Sequence, residues 1–175
     1  IKPYLQLGQM TQAMFHVARQ LFGLSFTPLE PAPRYIDTLR AWDVTDAQGR
    51  HVGVFMADNF ARTGKRSGAW MSTFRDASSL DKAVRPLVLN NNNFSSPAAG
   101  QDALLSLDDA RTLFHEFGHG LHGLLSRCRY PRLTGTAVLR DFVEFPSQIL
   151  ENWLLQPQIL RQFARHHETG EAMPE

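Results

Sequence analysis

Two imidazoles one helical turn apart, His115 and His119, flank a carboxylate in the stretch His-Glu-Phe-Gly-His at 115–119. Residues four apart on a helix project from one face, so the two rings can grip a single zinc ion. Glu116 between them can then act as general base on a water at that metal. The pattern constrains the fold strongly. It needs a helix, a further ligand from elsewhere in the chain, and a coordination position left open for water. Phe114, Phe117 and Leu121 surround the pair, which points to a helix packed on a core rather than to two solvated surface histidines.

The third ligand is not supplied by the same helix. The metzincin arrangement would put Gly at 122 and His at 125, and this chain has His122 and Leu125. His122 is on the same face as His119, where crowding makes it a poor third donor. Glu144 opens the next helical segment, after a loop long enough to reverse direction, and can point back at the metal. The alternative is an exposed first-turn carboxylate favoured by the helix dipole. Its apolar neighbours Phe142, Val143 and Phe145 favour a specific partner. Ligating histidines need acceptors for their second ring nitrogen. Glu151, two turns past Glu144, is a candidate, as are Asp141 and Ser147, with ordinary helix-surface polarity as the alternative for all three.

The remaining pattern predicts an α+β fold, mostly helical, with a small β-sheet and two zinc-ligand helices in a zincin-like arrangement. Residues 5–22 carry apolar side chains at helical spacing, and Gly23 is a C-cap. Three prolines in 27–34 predict an extended connector. Residues 39–44 and 51–56 flank a polar turn at 46–49 and read as a hairpin. Residues 67–74 predict a strand and 86–89 a short buried one, running into four asparagines at 90–93 that read as a loop. Ser106, with Asp109 three residues on, starts the motif helix. Gly118, Gly120 and Gly123 each cost about 1 kcal/mol in that helix, so close approach of a backbone or a substrate is expected there. Residues 141–156 resume helical periodicity, with Pro146 kinking or limiting the first turn.

Length and composition suit one domain spanning 1–175. A net charge of +1 argues against nucleic acid or an anionic membrane as partner, and no apolar run is long enough to span a bilayer. Cys128 is the single cysteine and forms no internal disulfide, which suits a reducing cytoplasm; it reads as a free thiol on the late turns of the motif helix. The first residue is not Met, and a piece of a longer protein is expected. Ser67, Gly68 and Ala69, leading into Trp70, are small enough to let a peptide backbone pair by strand addition; Trp70 itself is more simply a core residue. Arg62, Lys65 and Arg66 could attract a peptide C-terminal carboxylate or form a solvated loop. His166 and His167 read as surface residues.

Leu113-Phe-His-Glu-Phe-Gly-His-Gly-Leu-His-Gly-Leu-Leu125 and Arg140-Asp-Phe-Val-Glu-Phe-Pro-Ser-Gln148 resemble the paired zinc segments of the thimet oligopeptidase family. Lys65-Arg-Ser-Gly-Ala-Trp-Met71, and the four asparagines followed by Phe94, resemble its bacterial peptidyl-dipeptidase branch. The resemblance implies that His115, His119 and Glu144 hold one zinc ion and that Glu116 is the base. It implies a mostly helical ellipsoid split by a deep channel, with short peptides as substrates and release of C-terminal dipeptides. Cleavage of internal bonds, or a non-catalytic metal-bearing module that captures peptides, are the competing readings. In the family, a histidine and tyrosines that hold the substrate carbonyl lie well downstream of the second zinc helix. The isolated chain is therefore expected to hydrolyse peptide poorly, and the remainder of its own full-length chain is an expected partner.

Overall fold

Apolar side chains at three- and four-residue spacing build α1 (Leu7–Phe22), whose buried face includes Met10, Met14 and Val17. Gly23 ends it with φ 68°, a left-handed cap that glycine adopts without a Cβ penalty. The computed structural model describes residues 1–80, 82–98 and 100–174. The motif helix, α2 (Leu107–Leu125), starts at the expected cap. The Ser106 hydroxyl accepts from the Asp109 N–H at 3.0 Å, and the Asp109 carboxylate accepts from the Ser106 N–H at 3.0 Å. Two orphan donors are thereby satisfied reciprocally. α3 (Arg140–Leu154) follows, and α4 (Pro157–Phe163) ends the helical part. Sequence periodicity did not reveal α4; Pro157 at its first position was the available signal. Cys128 lies past the Ser126 C-cap, not on the motif helix.

Five strands form one mixed sheet: β1 (Ser25–Pro28), β2 (Arg40–Thr45), β3 (His51–Phe60), β4 (Trp70–Arg75) and β5 (Leu87–Phe94), in the order β1-β2-β3-β5-β4. β2 and β3 are the expected hairpin, with Val44 opposite Gly53. The start of the proline-rich stretch joins β1, antiparallel to β2. β3 and β5 run parallel, and β4 closes the sheet antiparallel to β5. Three expectations change here. The asparagines at 90–93 are not a loop but part of β5, with Asn90, Asn91 and Asn92 buried. The strand expected from residue 67 starts at Trp70, so Ser67, Gly68 and Ala69 precede it. With five strands and four helices among the described residues, the chain is α+β, and helix dominates it less than expected.

Each sheet face carries an apolar cluster. On one, α1 and α2 enclose the main core, where Phe55 and Phe117 meet edge to face at 5.2 Å and Phe15 stacks on Phe26 at 4.1 Å. On the other, Leu39, Met56 and Leu89 form a smaller cluster. α2 lies over β5, β4 and β3 and packs most extensively on α3. Among the described residues, no helix is long and apolar enough to cross a membrane.

Candidate metal centre

Gly118 sets the distance between the two ligand-bearing helices. A Cβ there would lie 2.5 Å from the Ser147 Cα and 2.8 Å from the Pro146 carbonyl oxygen, so only glycine permits this backbone contact. α3 runs on through Pro146, which has no N–H to give the preceding turn. The close approach brings Glu144 onto the histidines.

The Glu144 Oε2 lies 3.1 Å from His115 Nε2 and 3.2 Å from His119 Nε2. Donors bound tetrahedrally at about 2.0–2.1 Å sit roughly 3.3–3.4 Å apart, close to these separations. Two nitrogens and one carboxylate oxygen within 4.8 Å of one another fit one divalent cation. They also leave a fourth tetrahedral position without a protein donor among the described residues. His115 Nδ1 lies 2.6 Å from Glu151 Oε1, so the carboxylate fixes a tautomer whose Nε2 lone pair faces Glu144. The Ser147 hydroxyl shares its one proton between the Glu144 backbone carbonyl at 2.8 Å and Glu144 Oε2 at 2.9 Å, which helps to orient the carboxylate. Of the three candidates for this supporting shell, Glu151 and Ser147 are brought in. Asp141 makes no such contact. His119 Nδ1 is buried without a protein partner among the described residues.

Burial sets the local electrostatics. Glu116 is 5% exposed, and one of its carboxylate oxygens has no protein partner among the described residues. Desolvation pushes its pKa up to about 7; His115 opposes the rise and Glu144 adds to it. A divalent cation held by the three donors would oppose it further. His119 is lowered by burial, against the pull of Glu144. Burial would raise Glu144, but the Ser147 hydrogen bond and the two histidines hold it below the usual carboxylate range. His122 does not join the donor group. Its ring edge faces Phe142 at 6.0 Å.

The other singled-out residues are placed less simply. Gly123 of α2 lies over Met71 and Val88, and Gly120 over Asn90. Moving back along α2 toward His119 and His115 therefore moves toward the start of β4, where Ser67, Gly68 and Ala69 lead in. Two of the three basic residues of the preceding loop are not free cations. Arg62 Nη1 is 2.7 Å and Lys65 Nζ 3.0 Å from Oδ1 of Asp58, which is fully buried in β3. Asp58 Oδ2 accepts from the Tyr35 hydroxyl at 2.7 Å. Sequence reasoning missed this network; a lone acid at the end of an apolar strand was the available signal. Arg66 has no carboxylate partner among the described residues and lies over the Trp70 ring at 4.5 Å. Trp70 is half-buried rather than a core residue. His166 and His167 stack on one another, away from the donor group.

The chain matches Peptidase family M3 over residues 1–175, and it belongs to that family. Dipeptidyl carboxypeptidase of Escherichia coli (strain K12) is 47% identical over 176 residues, an alignment covering 100% of this chain and 26% of that protein. Oligopeptidase A of the same organism is 36% identical over 180 residues, covering 99% of this chain and 26% of its own length. Mitochondrial intermediate peptidase 2 of Cryptococcus neoformans is 29% identical over 209 residues, covering 99% and 25%. The chain thus spans about a quarter of the length of these relatives.

Proposed function

We propose that residues 1–175 form the zinc-binding part of the catalytic domain of a peptide hydrolase. The observation that carries this reading is the convergence of His115 Nε2 and His119 Nε2 on one oxygen of Glu144, at 3.1 and 3.2 Å. His115, His119 and Glu144 would hold one zinc ion, in keeping with a zincin-like pair of ligand helices. When bound there, zinc supplies Lewis acidity, polarising a peptide carbonyl and acidifying a water. Glu116, next in sequence to one ligand and three residues from the other, takes the proton from the attacking water and returns it to the leaving amine. Glu151 and Ser147 keep the ligands oriented. A structural zinc would have four closed protein ligands and no need of a base, so this donor set favours catalysis over a non-catalytic peptide-capturing module.

The substrate is a short peptide, as the names of the relatives suggest. β4 is the sheet edge nearest the donor helices, and its outer edge is unpaired among the described strands. An extended peptide can add there, with Ser67, Gly68 and Ala69 leaving room for its backbone. Release of C-terminal dipeptides is favoured by the higher identity to the dipeptidyl carboxypeptidase and by Arg66, which stacks on Trp70 and has no carboxylate partner among the described residues. Cleavage of internal bonds is the second reading, supported by the match to oligopeptidase A. An N-blocked hexapeptide and its C-terminal amide separate the two. Preference for the free acid, reduced by Arg66→Ala, supports the first, and equal cleavage of both supports the second.

Glu116→Gln tests the chemistry. We expect unchanged zinc stoichiometry and a kcat lower by about 10²–10⁴. Near wild-type turnover in a zinc-loaded variant would remove Glu116 from its role.

A further inference from the structure

The segment that leads into β4 is fastened by side chains from β5 and by a buried cation. The Lys65 side chain is 3% exposed. Besides its pairing with Asp58, its ammonium donates to the carbonyls of Asp58 at 2.8 Å, Phe60 at 3.0 Å, and Asn92. The β3–β5 ladder shifts register between Asp58 and Phe60, so pairing is interrupted there, and the ammonium supplies donors to the carbonyls around the break. Asn93 Nδ2 donates to the carbonyls of Arg66 at 2.8 Å and Gly68 at 2.6 Å. Two carbonyl acceptors require the amide NH2 end of the side chain. Asn91 Nδ2 reaches the Trp70 carbonyl at 3.4 Å. Residues 65–70 are thus tied at successive points, although Ser67 and Gly68 are exposed and belong to no strand.

We propose that Asn93 and Lys65 are positioning residues for the peptide substrate. They hold residues 66–70 in the one conformation from which the free edge of β4 can receive an extended chain. The proposal rests on the edge-strand reading above. Its physical content is preorganisation. Without the ties, an exposed stretch containing Gly68 at φ 84° samples many conformations, and substrate must order it on binding. That cost falls on binding more than on the chemical step, since the metal donors and Glu116 sit on α2 and α3.

The test uses the natural polypeptide that carries this chain, with an N-blocked hexapeptide as substrate. Asn93→Ala removes the donor, and Asn93→Asp also turns acceptor oxygens toward two carbonyls. Lys65→Met removes the charge while keeping the stem, and Lys65→Arg is the conservative replacement. For the Asn93 variants and Lys65→Met we expect KM raised about tenfold with kcat within about twofold and one zinc per chain retained, and for Lys65→Arg partial recovery of KM. Folded, zinc-loaded Asn93 variants with unchanged KM overturn the proposal. So does loss of folding in all of them, because the residues would then hold the fold rather than the substrate site. Ala69→Leu separates this from the edge-strand reading, since bulk there blocks an approaching backbone. If KM rises in Ala69→Leu but not in the Asn93 variants, the positioning proposal fails and the edge strand stands. If KM is unchanged in Ala69→Leu as well, the edge-strand reading fails and takes the proposal with it.

Discussion

Both ring nitrogens of His115 meet a carboxylate, Glu144 at 3.1 Å on one side and Glu151 at 2.6 Å on the other. An acceptor on Nδ1 strengthens Nε2 as a donor and holds the ring plane. Glu151→Gln should therefore weaken zinc binding about 10- to 100-fold, measured by competition with a chromogenic chelator. Unchanged affinity would reduce Glu151 to a bystander. Asp58 is the other residue under electrostatic tension. Burial would raise its pKa, but hydrogen bonds from Arg62, Tyr35 and Lys65 outweigh burial and hold it below the usual aspartate range. A depressed folded pKa gives stability that is present above the unfolded value of about 3.9 and is lost as pH falls through the folded one. The protein should thus lose part of its stability below about pH 4, and Asp58→Asn should flatten that dependence. At neutral pH the same variant should cost about 3–5 kcal/mol, because it strands the Lys65 ammonium in the interior. Urea denaturation at a series of pH values reads both effects.

Among the elements, the α2–α3 contact leaves least room for change. In Gly118→Ala, the gain of about 1 kcal/mol in helix propensity is set against an overlap of backbone with backbone, which costs about 1–3 kcal/mol and cannot be relieved by a rotamer change. The expected result is net destabilisation together with weaker zinc binding, as α3 moves Glu144 away. Wild-type zinc affinity in this variant would show that the helices are not held at contact distance. The motif helix, its Ser106 cap and the β2–β3 hairpin were legible because each follows from local spacing or local chemistry, whereas the approach of Glu144 to the histidines joins two helices and was implied by the family resemblance. The asparagines at 90–93 were not legible as a strand. Asparagine is a poor strand former on propensity, but this stretch is flanked by β3 and β4 and has partners in Asn59, Trp70, Arg66 and Gly68 that no local window contains. The Asp58 cluster was hidden only in part for the same reason: Arg62 and Lys65 follow Asp58 within seven residues, but Tyr35 lies 23 residues before it.

At the scale of the whole molecule, the outer side of α3 is apolar. Phe142, Phe145 and Ile149 are exposed, and with Leu21, Leu121 and Trp153 they line a groove of about 430 Å³. Patches of this kind in soluble proteins usually mark a contact surface. The 175-residue chain on its own should bind a hydrophobic dye, and replacing Phe145 and Ile149 by serine should lower that binding. It should also hydrolyse an N-blocked hexapeptide at least about 10²-fold more slowly than a polypeptide of its relatives' length, since single oxyanion donors are worth that much. Equal turnover would show that residues 1–175 contain all the groups needed. The proposed cage itself is compact along the chain: the widest contact within it, from His115 to Glu151, closes over 36 residues. Loop-closure entropy grows only slowly with length, so assembling the cage carries little more penalty than closing a single helical hairpin. During synthesis, a nascent chain could capture its cation as soon as α3 clears the ribosomal tunnel.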